Sequence, residues 1–158
     1  MGEGKLKITR TFDADTIAIL NQSVHQLHVE LYPQHFQTYD FHQVHEFFKK
    51  VMKDDRFIFL LAEDEGQHVG LAWLEIKQYS ETVFKKAYES IYVHQINIAE
   101  PYKNKGFGSS LMKEIYSIAR EKEITTIELD YWNDNTIAES FYEKEGFITY
   151  RKMAYKEL

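Results

Sequence analysis

The chain has 158 residues, of which 44% are hydrophobic, and this length and composition suit a single domain over residues 1–158 with a closed core. Its formal net charge is −6 without any block of Lys and Arg residues, so we expect no nucleic-acid partner. With no cysteine the chain cannot form disulfides, thiolate metal sites or a cysteine acyl-enzyme. It has no long apolar run and no signal-peptide core, so we expect no membrane segment and a cytoplasmic location.

The first half of the chain predicts one strand, two helices and a β-hairpin. Asp13 has a side chain suited to cap the first helix, whose apolar residues recur at three- and four-residue steps. Pro33 cannot continue a helix, so the first helix should end just before it. The predicted elements are a strand over Lys5–Arg10, a helix from Asp13 to about Leu31, a helix over Phe41–Met52, and hairpin strands over Phe57–Ala62 and Val69–Lys77.

The second half of the chain alternates strands with helices. Gly146 is suited to close the last helix, because glycine readily adopts the left-handed conformation found just after a helix. The predicted elements are a strand over about Ser90–Ala99, a helix from about Gly108 to Lys122, a strand through Ile127, Leu129 and Tyr131, a helix over Asn135–Glu145, and a final strand over Phe147–Tyr155. This order predicts an α/β fold in which helices cover a mixed sheet.

The loop before the third predicted helix has the composition of a phosphate-binding loop. Gly106 and Gly108 would let the backbone approach a ligand, and the start of the helix offers unpaired N–H groups with a partial positive charge. Lys103 and Lys105 add local positive charge. The loop lacks the Gly-Lys-Ser/Thr ending of a nucleotide-binding P-loop, and Leu111 stands where a Rossmann fingerprint needs its third glycine. An ordinary strand–helix turn with glycines for geometry alone is the alternative.

The last predicted helix presents a polar face at regular spacing. Asn135, Ala138 and Tyr142 stand at positions i, i+3 and i+7, so they share one side of the helix. A small residue between an amide and a phenol leaves room for a ligand that both polar groups could contact. The alternative is a capping asparagine, a packing alanine and a half-buried tyrosine.

Together these two segments resemble the GCN5-related N-acetyltransferase (GNAT) superfamily. Ile96–Met112 is similar to its acetyl-CoA motif, Gln/Arg-x-x-Gly-x-Gly/Ala, and Asn135–Phe147 is similar to the motif that follows. Lys103 departs from the motif, since lysine keeps the charge but lacks the planar fork of arginine. The resemblance implies the GNAT-type acyl-CoA N-acyltransferase fold, a mixed, predominantly antiparallel sheet flanked by helices.

The resemblance also implies a reaction: transfer of the acetyl group of acetyl-CoA, a co-substrate, to a primary amine of a small molecule or peptide. The amine would attack directly in a ternary complex, without a metal. A homodimer is compatible with the superfamily. The residues expected to contact acetyl-CoA are Ile96, Ile98, Lys103, Asn104, Lys105, Gly106, Phe107, Gly108, Ser109, Asn135 and Tyr142.

Candidate catalytic residues follow from the proton transfers that acetylation of an amine requires. Tyr142 corresponds to a family tyrosine placed beside the coenzyme sulfur, which implies a general acid. His94 is the candidate base because histidine ordinarily has a pKa of about 6.5; Tyr92 or Glu89 acting through water are rivals. The acceptor is expected to contact residues of the first helices and the fifth-strand region, namely Glu30, Tyr32, His35, Phe36 and Trp132.

Two alternatives keep the fold but change the function. A non-catalytic acetyl-CoA or CoA sensor would have the same loop, and the absence of a carboxylate in the segment Ile91–Gln95 favours it. The histidine pairs His25/His28 and His42/His45 have helical spacing suited to metal ligands. No third ligand is fixed by the sequence, so we expect no metal site.

Overall fold

The computed structural model describes residues 6–158, so Lys5 of the first predicted strand lies outside the described residues. The elements are, in chain order, β1 (Lys7–Arg10), α1 (Ala14–Leu31), α2 (Phe41–Val51), β2 (Phe57–Asp64), β3 (Gln67–Tyr79), β4 (Tyr88–Ile98), α3 (Phe107–Glu121), β5 (Ile127–Leu129) and α4 (Thr136–Lys144), with a 3₁₀ turn at Glu100–Tyr102. The five strands form one sheet in the order β1-β2-β3-β4-β5. Only β5 runs parallel to its neighbour, so the predicted mixed, mainly antiparallel sheet is confirmed.

The first two helices begin at aspartates that cap them. The Asp13 carboxylate accepts a hydrogen bond from the Thr16 N–H at 3.2 Å, and Asp40 accepts one from the Gln43 N–H at 3.0 Å. Each cap satisfies a backbone donor that the helix itself cannot pair. No described helix combines the length and apolar character that crossing a bilayer requires.

Apolar side chains cover both faces of the sheet. One face packs against α3, whose Leu111, Met112 and Ile115 are fully buried. The other face packs against α1 and α2, where Ile17 and Phe48 are buried in a separate cluster. The sheet therefore lies between two layers of helix, and its strand ends are left to build a site.

A β-bulge interrupts the pairing of β3 with β4 at His94. Trp73 pairs with Gln95 and Leu74 pairs with Val93, so His94 is one extra residue in β4. β5 pairs with β4 only as far as Val93. Because a bulge bends its strand and increases the local twist, it favours separation of the two strands. The pairing of β4 with β5 therefore stops at the bulge, and an opening between two parallel strands begins there.

The predicted final strand over Phe147–Tyr155 is wrong. Residues 147–158 form no helix or strand, and Ile148 and Met153 expose 88% and 95% of their surfaces. Side-chain contacts hold the segment near β5, including a hydrogen bond of 2.6 Å from the Tyr150 hydroxyl to Glu128. A strand needs a neighbour for its backbone and a face that buries alternate side chains. Within the described residues the segment has neither, so its alternating sequence does not produce a strand.

Candidate active site

His94 lies at the start of the opening between β4 and β5, and three neighbours fix its ring. Its Nε2 is 2.8 Å from a carboxylate oxygen of Glu75 on β3. The Trp73 ring stacks on the imidazole with centroids 4.6 Å apart, and the Tyr92 ring packs edge-on at 4.8 Å. The His94 side chain is 25% exposed. The structure thus presents an oriented imidazole that a ligand can reach.

Tyr92 joins β4 to the residue that follows β5. Its hydroxyl donates a hydrogen bond to the Asp130 carboxylate. Burial, together with this hydrogen bond, raises the pKa of Tyr92. The hydroxyl therefore stays protonated near neutral pH and acts as a hydrogen-bond donor at the mouth of the opening.

The strand edge of β4 beyond the bulge has no partner on the β5 side. Ile96 and Ile98 continue β4 past Val93, the last residue that pairs with β5. Their side chains pack against the core on the α3 side. The side chains are thus used for packing, and it is the backbone of this edge that can pair with an extended ligand.

The start of α3 presents unpaired backbone amides. Gly106 is its N-cap, with a φ of +80° that residues with side chains rarely adopt. No side chain caps α3, so the N–H groups of Phe107, Gly108 and Ser109 keep no partner within the helix. Orphan N–H groups and the positive end of the helix dipole form a ready anion site. This end of α3 is therefore suited to bind a phosphate group.

The two lysines and Asn104 lie in the exposed loop before α3. The Lys103 ammonium is 2.7 Å from the Glu100 carboxylate, and the Lys105 ammonium lies 5.7 Å from the centre of the Tyr102 ring. Asn104 has a φ of +63°, which asparagine tolerates better than most residues. Both ammonium groups are on long exposed side chains, so each could turn towards a bound phosphate.

Residues 108 and 109 lie where α3 packs against α4. A methyl group at Gly108 would lie 3.1 Å from the Phe141 ring, so the glycine permits close packing of the two helices. The Ser109 hydroxyl donates a hydrogen bond of 2.6 Å to Glu145, which also accepts one from Tyr116 at 3.2 Å. For Gly108 and Ser109, only the backbone is free for a ligand. Sequence analysis missed Glu145, which no motif marks.

Both ends of α4 are closed by local hydrogen bonds. The Asn135 side chain accepts a hydrogen bond from the Ala138 N–H at 3.2 Å, so its oxygen serves as the helix cap. Its NH₂ group is not needed for the cap. At the other end Gly146 has a φ of +91°, and the Phe147 N–H donates to the Tyr142 carbonyl at 3.0 Å. This confirms Gly146 as the residue that closes the helix.

Tyr142 is a buried phenol beside the end of β5. It is 8% exposed, and its ring packs against Tyr131 and Phe147, both with centroids 5.7 Å away. Burial, with a smaller effect of the Asp130 charge, raises the pKa of Tyr142 to about 12. Its hydroxyl is therefore fully protonated at neutral pH and available as a donor.

Four of the predicted acceptor-site residues form one aromatic cluster. Trp132 lies 4.6 Å from Tyr32, 5.0 Å from Phe36 and 5.7 Å from His35, measured between ring centroids. The Tyr32 hydroxyl also accepts a hydrogen bond from the Asp134 N–H at 3.0 Å. The cluster joins the loop after α1 to the loop after β5, and so borders the opening on the β5 side.

Glu30 and two of the paired histidines make contacts of their own. Glu30 is exposed and accepts a hydrogen bond of 3.5 Å from Gln26 on the same helix. His28 stacks on Phe36 with centroids 5.0 Å apart, and His45 lies 2.8 Å from Asp15. Across residues 6–158, no three His, Cys, Asp or Glu side chains come together in a way that could hold a metal ion.

Two acidic residues that sequence analysis did not select reach the opening. Glu75 interrupts an otherwise apolar run from Val69 to Ile76, and a lone carboxylate in such a run signals a buried partner. That partner, His94, is revealed only by the register of β3 and β4. Asp130 carries no comparable signal, because an acidic residue after a strand is usual in a turn.

A model of the Acetyltransferase (GNAT) family matches residues 21–147. Among solved structures, a tetramutant of the BH1408 protein from Bacillus halodurans has a TM-score of 0.89 and 18% identity, covering 96% of this chain and 99% of that chain. A protein described as a predicted acetyltransferase with acetyl-CoA, from Clostridium acetobutylicum, has a TM-score of 0.69 and 15% identity, covering 97% and 96%. An aminoglycoside acetyltransferase from an uncultured soil metagenomic sample has a TM-score of 0.68 and 17% identity, covering 97% and 95%. A comparison with curated proteins finds no significant match.

At these identities the solved structures show that the fold is shared. The matched segment spans most of the chain and includes both the loop before α3 and the α4 helix. The structural likeness extends over nearly the whole chain. The chain therefore belongs to the acetyltransferase (GNAT) family, as its sequence motifs predict.

Proposed function

We propose that this protein transfers the acetyl group of acetyl-CoA to a primary amine, on a small molecule or a peptide, by direct attack in a ternary complex. The observation that carries the proposal is the pairing of a reachable imidazole with a protonated phenol around one opening. His94 stands where β4 leaves β5, and Tyr142 packs beside Tyr131 at the end of β5. Acetylation of an amine needs a proton acceptor and a donor at such a place.

Acetyl-CoA binding is supported by the backbone of α3 and β4. The uncapped first turn of α3 would hold the pyrophosphate through the N–H groups of residues 107 to 109. The unpaired edge of β4 at Ile96 and Ile98 would pair with the extended pantetheine chain. When bound, acetyl-CoA supplies the acetyl group as a thioester. Lys103 would add a charge contact after leaving Glu100.

His94 is the proposed base, and the structure weakens both of its rivals. Tyr92 has its hydroxyl bonded to Asp130 and a raised pKa, so it does not supply the unprotonated oxygen that a base needs. Glu89 lies five residues before His94, about 16 Å along an extended strand, and accepts a hydrogen bond from Gln78 at 2.8 Å. His94 would accept the proton that the amine loses as its nitrogen bonds to the acetyl carbon.

Tyr142 is the proposed donor to the departing sulfur. A free thiol has a pKa of about 8.5, so complete proton transfer from a phenol with a pKa of about 12 would be uphill by about 5 kcal/mol. A hydrogen bond from the hydroxyl avoids that cost and still stabilises negative charge on sulfur as the carbon–sulfur bond breaks. The bulk solvent can then complete the protonation.

The acceptor amine would enter on the side of the sheet that carries His94. The aromatic cluster of Tyr32, His35, Phe36 and Trp132 borders this side and offers flat apolar surfaces with few charges. Rings of this kind bind ammonium groups and hydrocarbon chains well. The cluster is therefore the proposed specificity surface, and Glu30, near the end of α1, is a further candidate contact.

The test is an acetylation assay with a panel of acceptors. Free thiol release from acetyl-CoA is measured with polyamines, aminoglycosides, amino acids and peptide amines, and acetyl-CoA binding is measured by calorimetry. We expect His94→Gln and Tyr142→Phe to lower turnover by about 100-fold each, with acetyl-CoA affinity little changed. His68→Gln and Tyr116→Phe are matched controls, because His68 lies at the start of β3, away from His94, and Tyr116 lies on α3 rather than α4.

The outcomes separate an enzyme from a sensor. Thiol release that depends on an amine, and is lost in both variants but not in the controls, supports the proposed reaction. Tight acetyl-CoA binding without release by any acceptor would favour a non-catalytic CoA-binding domain. Full turnover in Tyr142→Phe would remove that residue from the mechanism.

A further inference from the structure

Glu75 and His94 form an acid–imidazole pair at the opening. Glu75 Oε1 is 2.8 Å from His94 Nε2, and the two side chains are only 15% and 25% exposed. An ionised carboxylate can only accept hydrogen bonds, so Nε2 must carry the proton that joins them. In the neutral imidazole the lone pair is then on Nδ1. The pair thus selects one tautomer of His94.

The packing around His94 keeps the ring in that orientation. Trp73 stacks on one face with an interplanar angle of 24°, and Tyr92 meets the ring at 64°. Phe57 lies 6.1 Å away. The bulge gives His94 a backbone position of its own, outside the regular pairing of β3 with β4. Rotation of the imidazole to offer Nε2 instead would break the Glu75 contact.

Other charged groups face this pair from every neighbouring element. The Lys77 ammonium, on β3, lies 4.0 Å from the centre of the Tyr92 ring. Arg56, just before β2, interacts with the Glu75 charge. Asp130, which follows β5, accepts a hydrogen bond from the Tyr92 hydroxyl. Among the charged side chains of the described residues, Glu75 is the one that contacts the imidazole of His94.

We infer that Glu75 is a positioning residue for His94, holding the tautomer in which Nδ1 accepts a proton from the acceptor amine and stabilising the imidazolium that results. This inference rests on the proposed function, because it assigns Glu75 to the same proton transfer. No new bond is made by Glu75: the proton leaves the amine nitrogen for Nδ1, and Nε2 keeps its own proton, shared with the carboxylate. The arrangement follows the general logic of a base oriented by a third group.

The first test is the pH dependence of kcat in two Glu75 variants. Glu75→Gln keeps a hydrogen-bond acceptor but removes the negative charge beside the imidazole. We expect the acidic limb of the profile to move to lower pH by about half a unit or more. The plateau should also fall, because the amide NH₂ can donate to Nε2 and favour the other tautomer. Glu75→Leu removes both the charge and the acceptor, and should lower the plateau at least tenfold, as loss of the orienting carboxylate does in other acid–histidine pairs.

The matched control is Glu63→Gln. Glu63 lies 3.9 Å from His68 in another glutamate–histidine pair of the same sheet, away from the opening. The same chemical change there should leave both the limb and the plateau at their wild-type positions. A shift of equal size in the control would show that net charge, not the contact with His94, moves the profile, and would overturn the inference.

The second test needs no acceptor. ¹⁵N NMR of the histidine side chains, with His94 assigned by its loss in His94→Gln, reports which ring nitrogen carries the proton. We expect Nε2–H in the wild type and a mixture of tautomers in Glu75→Leu. Nδ1–H in the wild type, or an unchanged spectrum in Glu75→Leu, would overturn the inference.

The two tests also distinguish failure of the inference from failure of the proposed function. If His94→Gln abolishes turnover while both Glu75 variants match the wild type, the base stands and the role of Glu75 falls. If His94→Gln keeps the wild-type profile, both the base and its positioning residue fall, whatever the tautomer.

Discussion

Tyr142→Phe should change how stability depends on alkaline pH, because the phenol is buried in the folded chain and free in the unfolded one. The folded-state pKa of Tyr142 is about 12, against an ordinary value of about 10. Above pH 10 the unfolded state loses this proton while the folded state keeps it, so ionisation favours unfolding. The contribution is complete below pH 10 and is lost as the pH rises towards 12. The stability lost amounts to about 1.3 kcal/mol by pH 11 and to about 2.7 kcal/mol once the loss is complete.

The measurement is urea unfolding of the wild type and Tyr142→Phe at pH 8, 9, 10 and 11. Other tyrosines also have raised pKa values, so both proteins should lose stability, and the difference between them isolates Tyr142. We expect the free energy of unfolding of the wild type to fall by about 1.3 kcal/mol more than that of the variant between pH 8 and pH 11. If the free energies of unfolding of the two proteins fell in parallel with pH, this would refute the burial of the Tyr142 hydroxyl and, with it, its protonated state at the site.

Three further predictions concern the loop before α3 and the start of α1. Gly106→Ala should destabilise the fold by about 1 kcal/mol, because φ is +80° there, whereas Gly106→Asn should cost less. Equal chemical-denaturation midpoints for the wild type and the two variants would contradict the left-handed conformation of this cap. Asp13→Ala should cost about 1 kcal/mol of helix capping while Asp13→Asn, which keeps the acceptor bonded to Thr16, should cost much less; equal losses would show that charge rather than the cap matters. Lys103→Ala should change the free energy of unfolding by less than about 0.5 kcal/mol, since its partner Glu100 is exposed. If backbone amides bind the phosphates, calorimetry should show less than about a tenfold loss of acetyl-CoA affinity in this variant. A loss of about 100-fold would assign the main phosphate contact to the lysine.

Most of the fold could be predicted from local sequence. The capping aspartates Asp13 and Asp40 and the closing glycine Gly146 act on their own segments, so nearby atoms set where these helices begin or end. The hairpin of β2 and β3 follows in the same way from its acidic turn at Gly66, where φ is +78°. The segment Phe147–Tyr155 failed because a strand is made by its partner, and the described chain supplies none.

The candidate site also has parts that local sequence predicts and parts that it does not. The uncapped start of α3 and the α4 face with Tyr142 lie within single segments, so motifs locate them. The contact of Glu75 with His94 joins residues 19 positions apart through a bulged register. No periodic pattern predicts which residue a bulge will insert. The absence of a side chain at Gly108 and the hydroxyl of Ser109 also serve the contact of α3 with α4, which the motif does not show.

The sequence by itself determined the family, through its motifs. It also determined the order of most elements, because capping, turn and helix-face preferences act over a few residues. The tertiary structure alone decided where β4 leaves β5, which carboxylate holds His94 and how deeply Tyr142 is buried. These features depend on strand register and on desolvation by distant side chains. Both arise only when segments far apart in the chain pack together.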